Sequence, residues 1–298
     1  MHCPSCNSIE KKKSYYPDVI FNDKQFSYLQ CRDCKLIFIS PFPNKEDFDK
    51  MYPPTYQNGI DFKIYSDLNV KLPGLRYDYA YQFNLIKKYS PGKNIADYGC
   101  GSANFISNAI NIGYMCDGVE YNPKFIEILR KNISSVSFYS IEDFFDNDKK
   151  YDVIRLSNVL EHLTDPKNIL EKLYSKLGDN GIILVEGPIE NNFSVAQFFR
   201  KTYFLIRTNL QKKWLVYHNP THMFFSKRKN QQKMMEDESI EPLHFSVKEE
   251  AWPFPENVNL INGFGSFIKG LIARISMIFS KLNSNWGNTF IYVGRKKG

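Results

Sequence analysis

The chain has 298 residues, a formal net charge of +7, 43% hydrophobic and 24% charged side chains. That balance excludes a disordered chain, and the length suits one α/β domain with a small appendage. No stretch reaches the roughly 18 uncharged apolar residues that span a bilayer, and the opening MHCPSC is not a basic-then-apolar leader, so a cytoplasmic protein is expected.

Residues 1–40 read as a metal-stapled module. Cys3/Cys6 and Cys31/Cys34 form two CxxC pairs separated by 24 residues. Two such knuckles offer the four soft ligands that a tetrahedral structural Zn²⁺ prefers, as in a zinc ribbon. Ile20–Phe21 and Phe26–Leu29 suit short strands of an intervening hairpin. Cys100 and Cys116 stand alone and read as small buried residues. Residues 41–75, rich in Pro, Tyr and Asp, predict a linker with one short helix, and 76–89 a helix stopped by Pro91-Gly92.

An alternating pattern follows. Strands are expected at 94–98, 115–120, 136–140, 152–157 and 181–186. Helices are expected at 103–113, at 123–132 with Pro123 in its first turn, and at 166–177 up to Gly178. Two final strands fit 243–247 and 289–294. Such alternation means a mostly parallel, doubly wound Rossmann-like sheet, here of seven strands. Ser226 is a plausible N-cap for a helix at 227–237.

Charge is unevenly spread. Residues 91–190 carry five more acidic than basic groups, whereas 191–235 carry nine basic groups and no acid. The basic segment includes Arg200, Lys201, Arg207, Lys212 and Lys213, which suit an anionic partner or simply a solvated helix face. In 264–282, Phe264, Ile268, Leu271, Ile275, Ile278 and Leu282 fall near one helical stripe. That spacing fits packing on the protein or on a dimer partner, with peripheral membrane contact through 263–282 as the alternative.

Asp97-Tyr98-Gly99-Cys100-Gly101-Ser102-Ala103 ends one strand and opens a helix. Its glycines allow a tight turn and close approach of a ligand. Glu120 ends the next strand about 20 residues on, a spacing that suits a carboxylate on two ribose hydroxyls. A dinucleotide site would want GxGxxG, and GCGSAN lacks the third glycine.

These residues resemble motif I of the class I S-adenosylmethionine methyltransferases. Tyr151–Ile154, Ser157–Pro166 and Leu177–Glu186 are similar to later segments of the same family. The resemblance implies a cofactor site of Asp97, Gly99, Cys100 and Gly101 at the methionine moiety, Glu120 and Tyr121 at the ribose, Ile141 and Glu142 at the adenine, and Ser157 and Asn158 beneath the sulfonium. It implies a methyltransferase domain over 76–298, with 191–240 as a basic substrate-covering lobe. The zinc module followed by LIFISPFP, with Pro41, Pro43, Tyr52 and Tyr56, resembles modules on bacterial methyltransferases of surface-polysaccharide and sugar modification. Tyr52 and Tyr56 then either reach the substrate or anchor the linker.

His162, His218 and His222 complete the candidates. An imidazole near neutral pKa can take the proton of an acceptor as methyl arrives. His162 and His222 are the candidate bases, against roles in packing and loop orientation, and His218 reads as structural. Glu161 is either a divalent-ion ligand, as the similar position is in ubiquinone-pathway O-methyltransferases, or a structural cap. The expected acceptor is a small anionic molecule or sugar, including a nucleotide- or lipid-linked sugar of surface polysaccharide. Nucleic acid is not the expected partner, because SNVL follows the fourth strand in place of an NPPY-like motif. An RNA methyltransferase and a non-catalytic cofactor-binding scaffold remain as alternatives.

Overall fold

The computed structural model describes residues 2–53, 79–211, 214–250 and 263–297. Tyr56, Lys212, Lys213 and most of the expected linker lie outside these residues. The chain opens with β1 (Lys11–Lys13), β2 (Asp18–Phe21), β3 (Lys24–Cys31), β4 (Ile37–Ser40) and α1 (Lys45–Met51). Asn44 and Asp47 close a reciprocal capping box at α1, each side chain accepting from the other's backbone N–H at 3.0 Å.

The alternating region contains α2 (Tyr79–Tyr89), β5 (Asn94–Tyr98), α3 (Asn104–Asn111), β6 (Met115–Val119), α4 (Pro123–Asn132), β7 (Ser137–Tyr139), α5 (Ile141–Asp146), β8 (Tyr151–Ser157), a 3₁₀ turn (Leu160–His162), α6 (Pro166–Lys176) and β9 (Leu177–Pro188). Asn122, Ser140 and Asp165 cap α4, α5 and α6 through side-chain oxygens. Then come α7 (Val195–Leu210), β10 (Leu215–Tyr217), β11 (Phe224–Phe225), α8 (Arg228–Met235), β12 (Ile240–Lys248), α9 (Phe264–Ser280) and β13 (Thr289–Lys296).

Seven strands form the main sheet in the order β12-β13-β9-β8-β5-β6-β7. All pairs from β9 to β7 are parallel, and β13 and β12 add antiparallel strands at one edge. This is the expected Rossmann-like α/β sheet. The strand order reverses between β5 and β8, so a crevice opens at their carboxyl ends.

The helix near 227–237 starts one residue later than Ser226 would place it. Asn230 Oδ1 accepts from the Lys227 N–H at 2.9 Å, while Ser226 Oγ is occupied by the Gln231 amide at 2.9 Å. Leu177 likewise ends α6 by entering β9 directly, before Gly178 is reached.

A second, six-stranded sheet joins the N-terminal module to the later lobe. β10 pairs in parallel with β2, and β11 antiparallel with β4. Phe26 and Leu36–Ile39 of the module share one buried core with Tyr98 and Leu156 of the main sheet and Leu160 of the 3₁₀ turn. The module is therefore docked over the carboxyl end of that sheet, where α1 and Tyr52 reach the crevice.

Candidate active site

The turn after β5 is built from left-handed backbone. Gly99 has φ +76° and Gly101 φ +48°. A Cβ on Gly99 would lie 2.4 Å from Val159 Cγ2, so only glycine fits between this turn and the loop after β8. Ala103 adopts φ +56°, a conformation that costs an L-residue about 1–2 kcal/mol. Cys100 is buried.

Glu120, at the end of β6, accepts from the backbone N–H of Gly101 at 3.0 Å, Tyr121 at 2.9 Å and Asn122 at 3.4 Å. Burial pushes its carboxyl up, against these three donors. The Tyr121 hydroxyl turns to Asp49 of α1, 2.9 Å away, so this residue serves Glu120 through its backbone. Ile141 and Glu142 open α5 just past β7, half-buried and exposed respectively. Ser157 ends β8. Asn158 follows with φ +52° and donates its N–H to Glu186 O at 2.8 Å.

Asp97 is fully buried against Arg155 of β8, with Oδ1 2.5 Å from the guanidinium. Burial pushes the Asp97 carboxyl up, opposed by Arg155. Arg155 also donates to Gln82 Oε1 at 2.7 Å and stacks over Phe105 at 4.0 Å. Gln82 in turn donates to Glu186, which pairs with Lys248 at 3.2 Å. Arg155 was not among the expected site residues, although a cation amid the apolar DVIRLS was its signal. Asp97 Oδ2 and Ser157 Oγ are buried with no hydrogen-bond partner among the described residues. Two orphaned acceptors on adjacent strands beside a glycine turn match a ligand carrying ammonium and hydroxyl donors.

The histidines come together beside this turn. His162 and His222 rings lie 5.0 Å apart, edge to face. His162 Nδ1 is 2.8 Å from both the Thr221 carbonyl and the Tyr52 hydroxyl. A carbonyl only accepts, so Nδ1 carries the hydrogen and Nε2 keeps its lone pair; this tautomer is assigned from the partners. Burial, then the neighbouring His222, lowers His162 to about 3. His222 Nδ1 lies 2.6 Å from Glu190 Oε2. Burial opposes its charge, but the Glu190 carboxylate outweighs that and raises His222 to about 9. Glu190 also resists burial, yet His222 and Arg200, at 3.4 Å, hold it at about 2. His162 is thus neutral and His222 cationic at pH 7.

Burial pushes Glu161 up to about 7. It meets His162 Nε2 at 3.7 Å and, with His162 and His222, forms a group whose ligand atoms lie within 4.8 Å of one another. Glu190 was not foreseen, because only the tertiary fold brings it to His222. His218 is exposed and outside the group. Arg200, expected to grip an anion, is instead held by Glu190 over the rings of Tyr16 and Phe204.

The four N-terminal cysteines also converge. Cys3 and Cys34 sulfurs are 3.5 Å apart, Cys6 and Cys31 3.6 Å, and all four lie within 4.8 Å of one another. Each knuckle ends in a left-handed residue, Asn7 at φ +62° and Lys35 at φ +63°. The hydrogen bond between Cys3 and Cys34 lowers Cys34 and raises Cys3, so one proton is shared within the pair.

A crevice at the strand switch, a glycine turn and a carboxylate on the following strand define a class I S-adenosylmethionine-dependent methyltransferase. The chain belongs to the methyltransferase-domain family, whose model matches residues 75–238. A ubiquinone biosynthesis O-methyltransferase of Pasteurella multocida is 28% identical over 155 residues, 46% of this chain and 61% of that protein. A tRNA U34 carboxymethyltransferase of Campylobacter hominis is 26% identical over 133 residues, 41% of this chain and 46% of the relative. The chain thus spans from about half to about three-fifths of these two proteins. Among solved structures, a chain of the complex between the Haloferax volcanii Trm112 methyltransferase activator and a methyltransferase shares the fold. It has TM-score 0.50 and 13% identity, and the match covers 75% of this chain and 90% of that one.

Proposed function

We propose that the enzyme methylates a hydroxyl of a small molecule, a sugar or a nucleotide- or lipid-linked sugar of surface-polysaccharide synthesis. The observation that carries this reading is the neutral His162 beside the cationic His222, roofed by Tyr52 of the N-terminal module. That roof favours a small acceptor over a long polymer.

Bound S-adenosylmethionine supplies an electrophilic methyl group. Asp97 Oδ2 and Ser157 Oγ are the free acceptors for its polar groups, Gly99 and Gly101 give it room, and Glu120 holds the ribose. Ile141 and Glu142 border the adenine. Lowered to about 3 by burial, His162 Nε2 is a weak base and would take the proton once methyl arrival has made the acceptor oxygen strongly acidic. Charged His222, fixed by Glu190, would hold the acceptor oxygen by hydrogen bonding before transfer. Alignment supplies much of the remaining rate.

His162→Gln should lower kcat by about 10²–10³ while calorimetry shows unchanged S-adenosylmethionine affinity; full activity would remove the assigned base. Asp97→Ala should abolish cofactor binding.

An RNA acceptor is the competing reading, favoured by the acid-free 191–235 segment and by the tRNA-modifying relative. Arg200, Lys201 and Arg207 are stacked on Tyr16, Tyr15 and Trp214, which weakens it. Tight RNA retention on filters with a steep salt slope would reverse the ranking.

The module would hold one structural Zn²⁺ through Cys3, Cys6, Cys31 and Cys34. Zn–S bonds of about 2.3 Å in a tetrahedron place sulfurs about 3.8 Å apart, close to the spacing seen. Elemental analysis should give one zinc per chain, falling to none in Cys31→Ser/Cys34→Ser.

A further inference from the structure

α9 is turned inside out relative to an ordinary surface helix. Its small residues Gly270, Ala273 and Ser276 are buried. Ser276 Oγ bonds Glu249 at 2.7 Å and accepts from the Ala196 N–H of α7 at 3.0 Å. Its large residues Ile268, Leu271, Ile275 and Ile278 are exposed, Ile278 at 61%, as is Leu282 just past its end. Their spacing of three and four residues makes one outward stripe.

The neighbouring α7 repeats the arrangement. Phe199, Tyr203, Ile206 and Leu210 are exposed at intervals of four, three and four residues, Leu210 at 79%. At about 100° per residue, the exposed Arg274 and Lys281 border one side of the α9 stripe, and Arg207 borders the α7 stripe while stacked on Trp214. Residues 191–235 and 263–288 contain no Asp or Glu.

We propose that α7 and α9 together form a docking surface for an anionic phospholipid bilayer. Exposed apolar patches of this extent mark interaction sites. The apolar stripes enter the headgroup–acyl boundary while the exposed Arg274 and Lys281 side chains reach lipid phosphates. A second copy fits less well, because an isologous contact would set two acid-free basic borders against each other. The contact is peripheral: no helix among the described residues is long and apolar enough to cross a membrane. α7 also carries Arg200, which holds Glu190 and, through it, His222, so the docked face lies on the helix that backs the candidate site.

The test is co-sedimentation of the full chain with phosphatidylcholine vesicles, with and without phosphatidylglycerol. The protein should pellet with the anionic vesicles, less so at high salt. Ile206→Glu/Ile278→Glu should weaken that binding by about tenfold or more, with S-adenosylmethionine affinity and thermal midpoint unchanged, since both side chains are already exposed. A wild type that stays in the supernatant with both vesicles overturns the proposal. So does a concentration-dependent dimer in sedimentation equilibrium that the double variant dissolves while vesicle binding persists.

Discussion

Asp97, Gly99, Gly101 and Glu120 belong to one strand–turn–helix–strand unit, whereas Tyr52, His162, Glu190, Arg200 and His222 arrive from five separate segments. The first group is shaped by backbone: left-handed glycines and N–H groups aimed at one carboxylate. The second is shaped by side-chain charge, with Glu190 shared between an imidazole and a guanidinium. A backbone site tolerates few substitutions at few positions. A side-chain site can be retuned from any of its five segments.

Three substitutions probe that contrast. Arg155→Met should have the largest effect, because it leaves Asp97 buried without its counter-charge. The expected loss is about 3–5 kcal/mol, read as a lower urea midpoint. Adding Asp97→Asn should restore part of it, and no recovery would show that Arg155 acts through packing on Phe105 instead.

Glu190→Gln should cost about 1.5–3 kcal/mol, as expected for hydrogen bonds to charged groups. The pH dependence has a definite sign. His222 rises from 6.5 to about 9, so its contribution is full below 6.5 and disappears as pH climbs through about 9. Glu190 falls from 4.5 to about 2, so its contribution is full above 4.5 and disappears as pH drops through about 2. The stability difference between wild type and Glu190→Gln should therefore be greatest between about pH 4.5 and 6.5 and shrink by pH 10. An NMR titration placing His222 near 6.5 in both proteins would break the comparison.

Tyr52→Phe is the mildest. It removes one hydrogen bond to His162, worth about 1 kcal/mol, and should shift the imidazole resonance with a modest change in kcat. An unchanged resonance would separate the N-terminal module from the acceptor side.

The sheet and the glycine turn were legible because their signals are local. Alternating apolar runs give strand after helix, and Gly99, Gly101 and Glu120 fall within one βαβ unit. Arg155 and Glu190 were not legible, since nothing nearby in sequence names their partners: Asp97 faces Arg155 from the neighbouring strand, 58 residues earlier, and His222 lies beyond α7. Ser226 looked like a cap because its type suits one, but Gln231 claims its oxygen and Asn230 does the capping from inside the helix. The stripe in α9 was read from spacing that cannot say which way a helix faces. That choice was made by the small residues, which alone allow close approach to α7.

The sheet shared by the two ends of the chain also sets an order of events. β2 and β4 emerge from the ribosome long before β10 and β11, their partners near residues 215–225. At roughly 5–20 residues per second, those two edges wait through many seconds of translation. Nascent chains halted before residue 215 should consequently expose the rim of the N-terminal hairpin to proteases and chaperones, and chains released after residue 225 should hide it.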